Sequence, residues 1–226
     1  TRIARTLGDL GVAPHLVAVS TCYVAGNRRG DAPEIPVDES PFWIGDIDWR
    51  REVDGARRVR ADAEAASRRP EQLATFMDEA RKELGGAGTP LLATKSEQLR
   101  QDWVKAQLVD AGRARAASLG WPDAYAYTKA LGEKALAENR GDVPVSIVRP
   151  AIIESAWAEP VPGWIRGFRM AEPVIISYAR GLLKEFPGVP EGTVDVIPVD
   201  LVVGAIVAVA ARGPVHDDGS PDITQV

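Results

Sequence analysis

Residues 121–150 read WPDAYAYTKALGEKALAENRGDVPVSIVRP, and this stretch sets the architecture. Trp121-Pro122-Asp123 marks a helix start, with Asp123 as the N-cap of a helix over Ala124 to Asn139. Gly141 stops that helix. Val145 to Val148 reads as a short strand covered on both faces, and Arg149-Pro150 ends it. Upstream, Leu16-Val17-Ala18-Val19 is a second such strand, closing on the small polar pair Ser20-Thr21. Downstream, Val194-Asp195-Val196-Ile197 is a short strand, Pro198 opens a helix over 199–211, and Ile223 begins another strand. Strands alternating with helices predict an α/β fold with a doubly wound parallel sheet.

The segment between the first two strands is longer than a crossover needs: Thr21 and Tyr125 are 125 − 21 = 104 residues apart. Residues 26–41 read as loop. From Arg51 to Leu84 the chain reads as one charged, Ala-rich helical stretch, with Leu73, Phe76, Met77, Ala80 and Leu84 on its apolar face. Gly85-Gly86-Ala87-Gly88 with Pro90 breaks it, and a second helix runs over 96–119. Residues 28–119 are therefore expected to form a helical insertion. Residues 151–171 read as loop and 173–184 as a short helix.

Composition bounds the function. The 226 residues are 45% hydrophobic and 26% charged, ordinary for a globular chain and incompatible with a disordered one. Cys22 is the single cysteine, so an intramolecular disulfide and a Cys-rich zinc site are excluded. Two histidines, His15 and His216, give little support to a metal centre or a Ser-His-Asp triad. The net charge of −5 argues against general nucleic-acid binding. The longest apolar run, Leu201 to Ala211, is too short for a transmembrane segment, and residues 1–12 carry no signal-peptide core. A reducing, cytoplasmic setting is the default expectation.

Tyr125 and Lys129 stand four residues apart, which puts both side chains on one helix face. An ammonium beside a phenol stabilises the phenolate and makes Tyr a usable proton donor near neutral pH. Tyr127, two residues before Lys129, points elsewhere. Ser20 and Thr21 close a buried strand at its carboxyl end, where ligands of open α/β sheets bind. Residues 50–69 carry seven Arg against four acids. They fit a solvated helix with i, i+4 pairs Asp54–Arg58, Arg58–Asp62 and Arg60–Glu64, and secondarily a surface for CoA phosphates or an acidic carrier protein.

Three stretches in this order resemble the extended short-chain dehydrogenase/reductases: Val19 to Gly26, Tyr125 to Glu133, and Val148 to Ile153. Glu159 to Trp164 and Asp195 to Val203 resemble, more narrowly, the fatty acyl-CoA reductases of the male-sterility type. The resemblance covers residues 14–27 and 119–211. It implies a Rossmann-like domain over the whole chain and NADPH-dependent reduction of a fatty acyl-CoA or acyl carrier protein thioester to aldehyde or alcohol. It implies Tyr125 as proton donor, Lys129 on the ribose, and Thr21 or Ser20 on the carbonyl oxygen. Pro150, Ala151, Ile152 and Ile153 would line the nicotinamide. Residues 151–198 would bind substrate, with Trp164 and Phe168 against the acyl chain.

Such enzymes hold the dinucleotide phosphates on a glycine-rich turn after their first strand, and neither G-x-G-x-x-G nor G-x-x-G-x-x-G occurs here. The resemblance therefore implies a chain that begins in the helix before the strand at 16–20, without the phosphate-binding half. The open sheet edge would pair with a partner or form a homo-oligomer. Two other readings stay open: the thioester reductase domain of a carboxylic acid reductase or peptide synthetase, and a non-catalytic fragment of the same fold. A nucleotide-sugar epimerase is disfavoured by residues 159–168.

Overall fold

The computed structural model describes residues 2–12, 14–43, 45, 47–86, 88–167, 172–185, 192–216 and 220–226. The chain divides into two compact units. The first comprises Thr1–Ala25, Gly30–Pro41 and Gly132–Val226; the second comprises Gly26–Arg29 and Phe42–Leu131.

The first unit holds a parallel sheet of β1 (Leu16–Val19), β2 (Val145–Arg149) and β5 (Asp222–Gln225), in the order β1-β2-β5. Leu16 pairs with Val145 and Val19 with Val148, while Ser146 faces Asp222 and Arg149 faces Gln225. All five residues of β2 are buried, as a central parallel strand requires. Val145, Ile147 and Ile223 form the core on one face, joined by Leu16, Ala18 and Leu136. Leu136 belongs to α5 (Ala124–Asn139). Full burial of each of Val145, Ile147 and Ile223 contributes about 1.5–3 kcal/mol.

The opposite face of β2 carries Ser146, whose polarity is satisfied locally. Its Oγ donates to Asp222 Oδ2 at 3.3 Å and lies 2.9 Å from His15 Nε2. Asp222 also pairs with Arg212, at the end of α7 (Val199–Arg212). That helix packs on β1 and β2 and buries Val202 and Val209. A second parallel ladder joins β3 (Ile152–Glu154) to β4 (Val196–Pro198), and Pro198 N-caps α7. The unit also contains α1 (Arg2–Asp9), ahead of β1, and α6 (Glu172–Ala179).

Two expectations change in this unit. Residues 151–171 are not wholly loop, because Ile152–Glu154 pair with β4 after Pro150 ends β2. The short strand expected at 194–197 is also displaced, to Val196–Pro198.

The second unit is helical: α2 (Trp49–Ser67), α3 (Pro70–Leu84) and α4 (Thr89–Ser118), followed by the first turns of α5. The single helix read over 51–84 is in fact two. Pro70 lacks the amide hydrogen and clashes with the preceding turn, so it opens α3 instead of continuing α2. Pro90 likewise starts α4, which begins before the expected Ser96. Phe76 and Ala80 are buried, with Phe76 edge-on to Trp103, but Leu73 and Leu84 are exposed because α3 is covered on a narrower stripe than its pattern suggests.

The charges of α2 pair differently from the i, i+4 scheme. Asp54 accepts from Arg57, and Glu64 reaches across to Arg100 of α4, at 3.1 and 2.8 Å. Buried Arg100 also forks onto Glu97 and bonds Ser67 Oγ, and its guanidinium holds the Glu97 carboxyl down at about 2. Tertiary geometry thus overrides helix-local pairing. Gly26 at φ 75° allows a close approach in this unit: a Cβ there would lie 2.7 Å from Gly120 O.

Candidate active site

In the first unit, backbone bonds extend beyond the paired residues of β1 and β2. Ser20 N donates to Val148 O at 2.7 Å and Cys22 N to Pro150 O at 3.0 Å. Ser20 and Thr21 are thereby buried beside Pro150 at the carboxyl ends of the two strands, the end at which ligands of open α/β sheets generally bind. Thr21 Oγ1 makes a long 3.5 Å bond to Pro150 O and accepts from Tyr23 N at 3.3 Å. Ser20 Oγ has no hydrogen-bond partner among the described residues. Ala151 N is taken by Val226 O and Ile152 N by Asp195 O, while Ile153 is partly exposed.

The Arg149 side chain, which reads in sequence as no more than a strand stop beside Pro150, is locked. Its Nε and Nη2 donate to the two oxygens of Glu133 at 3.1 and 2.6 Å, and Nη2 also donates to Ile35 O at 3.0 Å. Both side chains are buried.

In the second unit, Asp123 Oδ1 accepts from Ala126 N at 2.8 Å, the expected N-cap bond. Tyr125 is 56% exposed and lines an open groove of about 760 Å³ with Asp123, Arg60, Lys105 and Arg113. Lys129 Nζ lies 5.9 Å from the Tyr125 ring centroid, one turn along the same face. Tyr127 faces the other way, 6% exposed and 5.4 Å from the Trp121 ring. The two-residue spacing separates the two phenols by more than half a helical turn.

Of the substrate-segment residues, Trp164 is 44% exposed and Phe168 lies outside the described residues. The loop around Trp164 is organised by Asp200, in the first turn of α7. Its carboxylate accepts from Trp157 N, Ala158 N and Glu159 N at 3.0, 2.8 and 3.1 Å. These amide donors hold the Asp200 carboxyl at about 2. Ala156 N and Gly163 N tie the loop to itself through Trp164 O and Ala156 O. Asp200 and Trp157 are residues that sequence reasoning missed. The signal was an acid one residue into a helix whose caps needed none. Among the described residues no three His, Cys, Asp or Glu side chains gather as a metal site, and no helix is long and apolar enough to cross a membrane.

Residues 2–206 match the family model described as male sterility protein, an NAD-binding domain. The chain is 36% identical to fatty acyl-CoA reductase 2, chloroplastic, of Arabidopsis thaliana, over 91% of this chain and 29% of that protein. It is 35% identical to putative fatty acyl-CoA reductase 7 of the same plant, over 93% of this chain and 44% of that protein. To the alcohol-forming fatty acyl-CoA reductase of Simmondsia chinensis it is 35% identical, over 87% of this chain and 34% of that protein. The chain therefore spans between about a quarter and a half of the length of these relatives. With the parallel sheet and the family match extending over most of its length, the chain belongs to the male sterility family of NAD-binding domains.

Proposed function

We propose that this chain carries the proton-transfer and substrate-facing part of an NADPH-dependent reductase of fatty acyl thioesters, with acyl-CoA as substrate. One observation carries the reading: an open Tyr125 with Lys129 Nζ 5.9 Å from its ring, inside the stretch matched to the family.

The thioester carbonyl carbon gains a hydride and its oxygen a proton. Expulsion of the thiol then leaves the aldehyde, and a second hydride and proton give the alcohol. Tyr125 Oη delivers the proton to the carbonyl oxygen. The Lys129 ammonium stabilises the phenolate left behind and bonds the ribose hydroxyls. Thr21 donates a hydrogen bond to the developing oxyanion, its present bond to Pro150 O being long enough to exchange, and the unpartnered Ser20 Oγ is the second donor there. Trp164 contacts the acyl chain.

The nicotinamide supplies the hydride when bound. On this reading Lys129 and Tyr125 would hold its ribose and the backbone of Pro150, Ala151, Ile152 and Ile153 would line the nicotinamide, whereas the sequence offers no glycine-rich strand-to-helix turn for the pyrophosphate.

The test is an assay of a longer protein containing this chain with NADPH or NADH and a long-chain acyl-CoA. Acyl-dependent oxidation of NADPH is expected. Oxidation with an acyl carrier protein thioester and not with acyl-CoA would replace the substrate reading, and no turnover with either would overturn it.

A further inference from the structure

The helices of the second unit carry three cations that the proposed reaction does not use. Arg60 of α2, with Lys105 and Arg113 of α4, lines the same open groove of about 760 Å³ as Tyr125. Lys105, Val109 and Arg113 recur every four residues and lie on the stripe of α4 that faces the groove. Eight residues of helix rise about 12 Å, so the positive charge is spread along the groove and not gathered at one point.

The sequence places acids near these cations, and the fold commits those acids elsewhere. Glu64, four residues after Arg60, accepts from the buried Arg100 Nη1 at 2.8 Å. Asp123 Oδ1 accepts from Ala126 N at 2.8 Å as the cap of α5. Among the described residues, Arg60, Lys105 and Arg113 have no ion-pair or hydrogen-bond partner. Three like charges sharing one groove repel one another, and a polyanion relieves that repulsion. The chain as a whole carries a net charge of −5, so this local excess is not a by-product of a basic protein. Val104, Leu108 and Val109 also line the groove, which gives the uncharged part of a ligand an apolar surface.

We propose that Arg60, Lys105 and Arg113 hold the phosphates of coenzyme A, its diphosphate and its ribose phosphate, and so bring the thioester of an acyl-CoA to Tyr125. The proposal rests on the acyl-CoA reading of the site and adds what recognises the nucleotide end of that substrate. Several phosphates on one extended molecule match cations spread over two helices, and the long pantetheine arm spans from them to the phenol. A phosphorylated dinucleotide carries similar phosphates, and the experiment separates the two.

The test is calorimetry of the 226-residue chain with CoA, dephospho-CoA and NADPH. Saturable binding of CoA is expected, weaker for dephospho-CoA and falling as salt is raised, because all three cations are exposed. Replacing Arg60, Lys105 and Arg113 together by Met keeps the aliphatic stems and removes the charges. That variant is expected to weaken CoA about tenfold or more with its helical circular dichroism unchanged. Lys105→Arg keeps the charge and is expected to stay within about threefold of the parent. In a longer protein containing this chain, the triple variant is expected to raise the KM for decanoyl-CoA about tenfold or more. The advantage of decanoyl-CoA over decanoyl-N-acetylcysteamine, which has no phosphates, is expected to shrink by the same factor. CoA binding without turnover of decanoyl-CoA would sustain the groove and overturn the reductase reading. Turnover with an unchanged KM in the triple variant would overturn the groove and leave that reading standing. No binding of CoA to the folded chain, or NADPH held on these cations in place of CoA, would each overturn the proposal.

Discussion

Arg149 and Glu133 close a buried, two-point ion pair that ties the last residue of β2 to the middle of α5. Arg149 adds a third bond, to the carbonyl of Ile35 in the loop that follows β1. One guanidinium therefore organises a strand end, a helix and a loop immediately before Pro150. A pair so deeply buried is costly to desolvate, and what it specifies is geometry more than net stability.

Removing one partner strands the other charge without solvent. Glu133→Gln and Arg149→Met are each expected to destabilise the chain by about 3–5 kcal/mol, measured as the shift of its urea unfolding midpoint. The double replacement Glu133→Leu with Arg149→Met leaves no orphan charge and is expected to cost markedly less than either single change. A double variant as unstable as the sum of the singles would show that packing, not the uncompensated charge, sets the loss.

The two phenols of α5 give a paired test. Tyr125→Phe, in a longer protein containing this chain, is expected to reduce turnover by about 10²-fold or more with the fold intact. Tyr127→Phe, on the buried side of the helix, is expected to leave turnover within a few-fold of the parent. Measured kcat values that fall in the Tyr127 variant and not in the Tyr125 variant would reverse the assignment.

The elements that were legible in sequence are those with local punctuation. Asp123 and Gly141 bracket α5, and the cap bond to Ala126 N is present. Apolar runs bounded by polar or Pro residues located β1 and β2. The opposed directions of Tyr125 and Tyr127 follow from helical period alone. What stayed hidden depends on residues far apart in the chain. Glu133 and Arg149 are 16 residues apart and Asp200 reaches back 41 to 43, so neither partnership has a local signature. β3 is three residues long and exists only because β4 pairs with it. Pro70 is different: it stands in the sequence as a local signal, and the single stretch read over 51–84 runs through it, although it opens α3.

Asp200 makes the loop at 157–159 acid-sensitive. Its carboxyl sits at about 2, below its ordinary value of 3.8, so the ionised form is the one the folded loop prefers. The stabilisation is complete above about pH 4 and is lost as pH falls towards 2. Trp157 is 74% exposed on that loop and reports its state. An acid titration followed by Trp fluorescence is expected to show a transition in this window that Asp200→Asn lacks. In that variant the three amide donors lose a charged acceptor, and the loop is expected to be open to proteolysis already at neutral pH. Identical titrations for the two proteins would remove Asp200 from this role.

The last expectation concerns the dinucleotide. Most of its affinity resides in the pyrophosphate, gripped by amide donors of a glycine-rich turn and by the dipole of the helix behind it. Here β1 leads into Ser20-Thr21 and a short 3-10 turn over Cys22–Ala25, a geometry with hydroxyls and no glycine run. On the proposed reading this chain would contact the nicotinamide and its ribose, with Lys129 and Tyr125 on the ribose and the backbone after Arg149 on the nicotinamide. Without the pyrophosphate contacts, those groups have only weak hold on a solvated polyanionic ligand. Calorimetry of the 226-residue chain with NADPH is therefore expected to show no binding at micromolar concentrations, and decanoyl-CoA no NADPH oxidation. Tight NADPH binding, lost in Lys129→Met, would mean that the phosphates are held by basic residues of this chain, and Arg60, Lys105 and Arg113 beside Tyr125 would be the first to replace.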